Sequence, residues 1–160
     1  MSETVNKLYY SFYELVEDLH IIVRKIKDSK WEPDIIIGPC RGSYIPGVML
    51  SHKLNIPFYG FMWQTRDGNV QDHNELIEIL KNNKNKNILL IDDINDSGTT
   101  LHGIKQTIDL YNVNTMHYKN TIKYCVIFNK TQSKFKRVDY CVNELNPDNN
   151  PWVVFPYEEW

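Results

Sequence analysis

Residues 92 to 100, DDINDSGTT, place three acidic side chains beside a turn of small and hydroxylated residues. The small residues at 97–100 allow several backbone N–H groups to converge on one anion, and a helix that begins there adds its positive end. The hydroxyls of Ser97, Thr99 and Thr100 are further donors. Residues 97–100 therefore predict a phosphate site, which we call the phosphate cup.

The acids before the cup need a different partner, because they would repel a phosphate that they faced directly. Asp92 and Asp93 are adjacent carboxylates. Carboxylate pairs accept hydrogen bonds from sugar hydroxyls, either directly or through a bound Mg²⁺. A ribose carries such hydroxyls next to its 5-phosphate, so this acid pair predicts a site for a phosphorylated sugar.

The elements that must position these residues can be read from the apolar pattern. Short apolar runs alternate with amphipathic stretches, which indicates strands alternating with helices. Strands are predicted at residues 33–38, 56–63, 87–92, 121–128 and 138–142, and helices at 8–26, 47–54 and 98–111. This order is typical of an α/β fold with a mostly parallel central sheet flanked by helices. We expect residues 1–160 to form a single domain.

The turns after the first and third predicted strands are the first places to look for a ligand, because ligands bind beyond the carboxyl ends of parallel strands. These turns follow Ile37 and Ile91. The first predicted helix has apolar residues at steps of three and four between Leu8 and Ile26. We expect this helix to contribute only packing.

Composition excludes several classes of protein. The formal net charge of −2, with acids and bases mixed along the chain, lacks the basic footprint of a dedicated nucleic-acid binder. Cys40, Cys125 and Cys141 stand far apart without a zinc-site pattern, which is typical of a reducing compartment. No apolar run approaches the roughly 20 residues of a membrane span. We expect a cytoplasmic protein with a small or anionic ligand and no nucleic-acid or membrane partner.

The segment LLIDDINDSGTTL, residues 89–101, resembles the signature of the type I phosphoribosyltransferases, which bind 5-phosphoribosyl 1-pyrophosphate (PRPP). The resemblance implies a Rossmann-like α/β fold with a small C-terminal hood, residues 129–160. It implies that Asp92 and Asp93 bind the ribose and Mg²⁺, the metal mostly through water and PRPP. The 5′-phosphate ligands that it implies are Asp96, Ser97, Gly98, Thr99 and Thr100.

A second loop of this family holds pyrophosphate, and residues 40–43, Cys-Arg-Gly-Ser, resemble it. On this resemblance Arg41 pairs with phosphate oxygens, and Gly42 lets the backbone come close. The other members of the site are Cys40 and Ser43. Many relatives have Ser-Arg-Gly-Gly here, so Ser43 is a departure. The alternative is a tight turn that carries a surface arginine.

The polar, glycine-containing stretch at residues 63–75 resembles the mobile loop that closes over the reacting sugar in this family. Arg66 is expected to reach the pyrophosphate when the loop closes. The alternative is that Arg66 is an ordinary solvated loop residue.

The C-terminal segment, residues 124–160, resembles the closing segment of the xanthine/guanine/hypoxanthine branch. In that branch a lysine soon after a strand meets the purine 6-oxo group, and a tryptophan and an apolar residue cover the base. Lys130 is then the 6-oxo donor and Trp152 stacks on the purine. The remaining purine contacts implied are Ile94 and Val153. The alternative places Trp152 in the core and Lys130 on the surface.

Two positions depart from the family pattern. Val154 stands where some bacterial members have an acid that helps to read the 2-position of the base, so no preference among guanine, xanthine and hypoxanthine is implied. Asn95 lies inside the main signature, where many relatives have an aliphatic residue. The acids around Asn95 keep their register.

The resemblance implies Mg²⁺-dependent transfer of the 5-phosphoribosyl group from PRPP to a 6-oxopurine base, as in purine salvage. The products would be a nucleoside 5′-monophosphate and pyrophosphate, with Asp96 as the general base for the purine proton. The resemblance also implies a homodimer or homotetramer.

Three alternatives stay open. The chain could be a PRPP-binding regulator that binds nucleic acid without catalysis, or a pyrimidine phosphoribosyltransferase. The stretch ILLIDD alone also resembles the acidic strand end of receiver domains, but those domains carry the acid pair near the start of the chain.

Overall fold

The computed structural model describes residues 6–65, 70–115 and 119–159. Its strands are β1 (Lys7–Tyr9), β2 (Ile35–Cys40), β3 (Phe58–Met62), β4 (Asn87–Asn95), β5 (Thr121–Lys130), β6 (Asn143–Leu145) and β7 (Trp152–Val154). Its helices are α1 (Phe12–Asp28), α2 (Tyr44–Leu54), α3 (His73–Asn82) and α4 (Thr99–Asn114). Strands β2 to β6 form a parallel five-stranded sheet in the order β3-β2-β4-β5-β6. The predicted α/β architecture is confirmed.

The sheet is buried on both faces, which explains its continuous apolar runs. In β4, Leu89 and Ile91 belong to a core cluster that also holds residues of α1, while Ile88 and Leu90 belong to a second cluster with residues of α3 and α4. Because side chains alternate along a strand, the two clusters lie on opposite faces of the sheet. Apolar residues on both faces fix the register of β4 and therefore the place where its polar end emerges.

The order of the strands reverses between β2 and β4. From β2 the chain first adds β3 on one side of the sheet, then crosses to add β4 and β5 on the other side. Loops that follow β2 and β4 therefore diverge and leave a crevice at the carboxyl edge, where α/β proteins bind ligands. Residues 41–43 follow β2 and the phosphate cup follows β4, as the sequence predicted.

The N-terminal segment differs from its prediction. The helix begins only after Ser11, whose side chain accepts a hydrogen bond from the Glu14 N–H while the Glu14 carboxylate accepts one from the Ser11 N–H. This capping box sets the start of the helix, whatever the apolar spacing before it. Residues 7–9 instead form β1, parallel to β7 with Leu8 opposite Val153. The predicted start of the helix was therefore wrong. Helix α1 packs in the core, and β1 adds a pairing with the hood strand β7 that was not predicted.

Two further elements differ. The strand predicted at 138–142 is wrong, since Tyr140 makes only an isolated bridge with Cys125 and β6 begins at Asn143. Helix α3 was not predicted. It has only 10 residues and buries only Leu76 and Leu80, so the stretch is too short to show a repeated helical spacing.

Helix α2 begins earlier than expected and includes Pro46 in its first turn, where a missing N–H costs nothing. Within the described ranges, no helix combines the length and the apolar character needed to cross a bilayer.

Candidate active site

An open cavity of about 440 Å³ lies at the carboxyl edge of the sheet, under the C-terminal segment. Its walls come from the ends of β2, β4 and β5, the start of α4, the residues after β3 and the segment from β7 onward. The predicted site residues that line it are Cys40, Arg41, Gly42, Asp92, Asp93, Ile94, Asp96, Ser97, Gly98, Thr99, Thr100, Lys130, Trp152 and Val153. The sequence therefore identified segments that the fold brings into one pocket.

The loop after β2, residues 40–43, places all but its last residue on the cavity wall. Ser43 is 0% exposed, and its hydroxyl donates to the Pro39 carbonyl at 2.6 Å. Its φ of −75° and ψ of −17° are right-handed values that any residue adopts. The departure from glycine at this position therefore needs no unusual backbone. Ser43 was predicted to contact pyrophosphate as part of this loop. In the structure its side chain lies beneath the loop, and the residue is not part of the cavity lining.

The acid pair touches the loop after β2. Asp92 is buried, and its Oδ1 accepts a hydrogen bond from the Asp93 N–H at 3.0 Å. A Cβ atom added at Gly42 would overlap the Asp93 carboxylate. Gly42 is therefore required by close contact, and that contact joins the ends of β2 and β4.

Tyr157 was not predicted as a site residue, but it lines the cavity next to Gly42 and Asp93. Its hydroxyl lies 3.3 Å from the Gly42 carbonyl oxygen and 3.3 Å from Asp93 Oδ2, both of which accept from it. Burial, followed by the negative charges of Asp93 and Asp92, raises the pKa of Tyr157 well above its usual range. The hydroxyl therefore stays protonated and remains a donor. A lone tyrosine near the chain end offers no spacing pattern that could have revealed it.

The phosphate cup is shaped by Gly98, which has a φ of +86° and serves as the N-cap of α4. Such a φ is strained for any residue with a side chain. Ser97 Oγ lies 2.9 Å from Thr99 Oγ1 and also accepts from the Thr99 N–H at 3.3 Å. Because Gly98 has no side chain to cap the helix, the positive end of α4 and its first-turn N–H groups suit an anion.

Lys130 and Asp96 form an ion pair in the wall beside the cup. Lys130 Nζ lies 2.7 Å from Asp96 Oδ1, and the lysine side chain is mostly buried. Asp96 follows the last residue of β4, and Lys130 is the last residue of β5. Since β4 and β5 are adjacent, the sheet itself brings these two charges together.

Two adjacent hood residues that line the cavity differ in burial. Trp152 is 44% exposed, whereas Val153 is buried in the core cluster that contains residues of α1. Ile94 packs against the same cluster from β4. An exposed tryptophan ring that borders a polar pocket is a residue type that stacks on flat ligands.

The predicted lid, residues 63–75, begins beside the cup, and its last residues form the start of α3. The Gln64 N–H donates to the Val70 carbonyl at 2.6 Å, and Trp63 bridges Gln71 in antiparallel fashion. Thr65 Oγ1, at the start of the lid, lies 3.0 Å from Thr100 Oγ1 in the cup. Arg66 lies outside the described residues, so its predicted contact with pyrophosphate stays a prediction.

Comparison with known proteins agrees with this geometry. Residues 13–159 match the family described as the phosphoribosyl transferase domain. The chain is a member of the phosphoribosyltransferase family. The resemblance inferred from LLIDDINDSGTTL is thereby confirmed, and this phosphoribosyltransferase places the signature at the cavity floor. No curated protein matches the sequence significantly.

Solved structures share the phosphoribosyltransferase fold over most of the chain. A purine phosphoribosyltransferase from Pyrococcus horikoshii is 25% identical with a TM-score of 0.73, and the alignment covers 97% of this chain and 95% of that one. The xanthine-guanine-hypoxanthine phosphoribosyltransferase of Helicobacter pylori is 19% identical with a TM-score of 0.69, covering 95% and 93%. An HGPRT-ase from Leishmania tarentolae, solved with GMP, is 20% identical with a TM-score of 0.55, covering 83% and 75%.

Proposed function

We propose that this phosphoribosyltransferase is Mg²⁺-dependent and transfers the 5-phosphoribosyl group from PRPP to a 6-oxopurine base, as in purine salvage. The observation that carries the proposal is the ion pair of Lys130 with Asp96 at 2.7 Å, beside the phosphate cup and in the same cavity as Trp152. The similarity to a purine phosphoribosyltransferase at 25% identity supports a purine acceptor.

On this proposal PRPP would lie across the cavity with its 5′-phosphate at the cup. The cup and the start of α4 would bind its 5′-phosphate through backbone N–H groups and hydroxyls. Asp92 and Asp93 would accept hydrogen bonds from the ribose hydroxyls, and Arg41 in the loop after β2 would pair with the pyrophosphate. The three sites border one cavity, so the two phosphate ends of PRPP would hold the ribose C1 between them.

The pair of Lys130 and Asp96 matches one edge of a 6-oxopurine. That edge offers an acceptor, the 6-oxo oxygen, next to a ring N–H donor. Lys130 can only donate, so it would leave Asp96 and donate to the 6-oxo oxygen. The Asp96 carboxylate can only accept, so it would accept from the ring N–H. A 6-amino purine presents a donor where Lys130 needs an acceptor, which disfavours adenine.

Asp96 would then act as the general base. Pyrophosphate departs from C1 as N9 of the purine attacks, and the proton on N7, the ring N–H beside the 6-oxo group, passes to the Asp96 carboxylate. Trp152 would stack on the purine, with Val153 and Ile94 at the base side of the pocket. Positive charge that develops on the sugar ring in the transition state is favoured by the two carboxylates at 92 and 93.

The residues present fit a Mg²⁺ ion held mainly by the substrate. Within the described ranges, no group of three or more His, Cys, Asp or Glu side chains could hold a metal. Mg²⁺ characteristically retains waters and takes only one or two carboxylates together with substrate phosphates, and Asp92 and Asp93 can supply these. When bound, Mg²⁺ neutralises charge on the departing pyrophosphate.

The test is incubation of the protein with Mg²⁺, PRPP and single nucleobases, with chromatographic detection of the nucleoside monophosphate. Guanine, hypoxanthine or xanthine should each be tested beside adenine, uracil and orotate, and an oxopurine product is expected. A product from uracil or orotate alone would replace the proposal with a pyrimidine transferase. No product from any base, with retention of RNA or DNA in a filter assay, would favour the regulator.

We also infer from the family that the protein is a homodimer or homotetramer. Strand β3 is an edge of the sheet, and apolar side chains are exposed on it and on the neighbouring α2. These residues are Tyr44, Ile45, Val48, Tyr59 and Met62. Light scattering on the eluted protein should give two or four times 19.0 kDa, and a monomeric mass at micromolar concentration would contradict this inference.

A further inference from the structure

The last residue of β4, Asn95, is a polar side chain in the interior and is only 1% exposed. Its Nδ2 donates to Asn129 Oδ1 at 2.8 Å and to the Phe135 carbonyl at 2.9 Å. Its Oδ1 accepts from the Ser133 hydroxyl at 2.8 Å. Both amide hydrogens and the amide oxygen are therefore used, so that the burial of this polar group is compensated.

These bonds fix the turn after β5, residues 131–135, which we call the support turn. The support turn in turn touches the phosphate cup. The Lys134 N–H donates to the Ser97 carbonyl at 3.0 Å. A Cβ atom at Gly98 would come within 2.5 Å of the Phe135 nitrogen, so the turn lies directly against the cup. Asn95 therefore anchors the turn that supports the cup from the side away from the ligand.

The hydrogen bonds of Asn95 also lie next to Asp96 and Lys130, the two charged residues of the proposed base site. Asn95 is registered opposite Asn129 across β4 and β5. The next residue in the chain is Asp96 after Asn95 and Lys130 after Asn129. The Ser133 N–H also donates to the Lys130 carbonyl at 2.9 Å. An aliphatic residue at 95 would fill the volume, but it would leave the partners in the support turn without their directional bonds.

We propose that Asn95 is a positioning residue that holds Asp96 and Lys130 at the spacing needed for proton removal from the base. This inference rests on the proposed function. Asn95 borders the cavity, but its side-chain amide is bound to Asn129, Phe135 and Ser133, so it would act on the transfer step through Asp96 and Lys130. The cup keeps its own bonds between Ser97 and Thr99, and the acid pair is untouched, so the PRPP contacts should remain. Small errors in such spacing lower turnover strongly, because the reacting groups must be in place before the reaction.

The experiment compares Asn95→Leu with a matched control, Thr107→Val. Thr107 is also a buried polar residue, with hydrogen bonds to the Gly103 carbonyl and to His73, but it lies outside the cavity. We expect kcat of Asn95→Leu to fall about 10- to 100-fold, with KM for PRPP near the wild-type value. Thr107→Val should keep the wild-type kcat per folded molecule.

Ser133→Ala removes one bond of the network and keeps the test valid if Asn95→Leu does not fold. Its kcat should fall less, with the same unchanged KM for PRPP. Hydrogen exchange supplies a readout besides activity, because the amides of the support turn should exchange faster in both variants and not in Thr107→Val.

The outcomes separate the two ideas. A wild-type protein that forms no nucleotide overturns the proposed function and with it this role. An active wild type whose folded Asn95→Leu and Ser133→Ala variants keep kcat, or lose only PRPP affinity, overturns the role of Asn95 alone.

Discussion

The residues that border the cavity are held in place differently on its two sides. The phosphate side consists of the cup and the ends of β4 and β5, and the hood side consists of the segment from β7 onward. On the phosphate side, Asn95 makes three side-chain hydrogen bonds of 2.8 to 2.9 Å, two of them buried. On the hood side, the Tyr157 hydroxyl makes two longer contacts of 3.3 Å to Gly42 and Asp93. Strand β4 lies between two strands of the central sheet, whereas β7 has only β1 beside it. Short buried bonds in a central strand specify position more strongly than long bonds at a two-stranded edge.

The difference agrees with the tasks of the two sides. The phosphate side carries the proposed general base and the anion site, which must stand in place before the substrate arrives. In the proposed function the hood side would admit a flat base and then cover it, which a weakly held segment allows at lower free-energy cost. We therefore expect substitutions on the phosphate side to lower turnover and substitutions on the hood side to lower affinity.

The largest effect is expected from Asp96→Asn, which removes the proposed base and half of its ion pair with Lys130. Loss of a general base lowers kcat by about 10²- to 10⁴-fold. PRPP affinity, measured by titration calorimetry, should change little, because the cup and the acid pair remain. Asp109→Asn is the matched control, since Asp109 pairs with Lys105 on the surface of α4. A loss of PRPP binding that equals the loss of kcat would contradict the assignment.

On the hood side, Trp152→Ala should weaken binding of the base with little change in PRPP affinity. Stacking on an aromatic side chain contributes about 1–3 kcal/mol per base, which corresponds to an increase of about 5- to 150-fold in KM for the purine. Tyr13→Ala is the control, because Tyr13 is 76% exposed on α1 and lies outside the cavity wall. If Trp152→Ala and Tyr13→Ala have equal KM values for the purine, Trp152 does not stack on the base.

The same contrast explains what the sequence could predict. The cup and the acid pair come from one continuous segment, residues 92–100, so residue types and order were enough to predict that this segment follows a strand and borders the cavity. The alternation of apolar runs likewise predicted the parallel sheet, because each strand of that sheet is a local feature of the chain.

The missed features depend on contacts between distant parts of the chain. Tyr157 is 115 residues from Gly42, and Asn95 meets Phe135 over 40 residues. Strand β1 could not be predicted, because its three residues form a strand only by pairing with β7 near the other end of the sequence. No local pattern encodes such pairings, and tertiary contacts decide them.

A smaller effect is expected when the missed hydroxyl is removed. Tyr157→Phe keeps the ring and deletes the donor to Gly42 and Asp93, so PRPP binding should weaken by about 0.5–1.5 kcal/mol, the net contribution of one hydrogen bond. The base KM should stay near the wild-type value. Tyr140→Phe is the matched control, since the Tyr140 hydroxyl is bonded to Ser29, away from the cavity. If both variants bind PRPP equally well, Tyr157 does not order the pyrophosphate loop.

The smallest effect concerns stability at alkaline pH. Burial and the nearby carboxylates raise the pKa of Tyr157, so the folded protein keeps a proton that the unfolded chain releases near pH 10. The stabilisation is therefore complete below about pH 10 and is lost as pH rises further, by at most about 1.4 kcal/mol per pH unit. In urea unfolding at about pH 9 and about pH 11, the free energy of unfolding should fall less for Tyr157→Phe than for the wild type. Tyr13→Phe, at an exposed position, should follow the wild type, and an equal fall in all three proteins would mean that the Tyr157 hydroxyl is hydrated and easily released from its two acceptors.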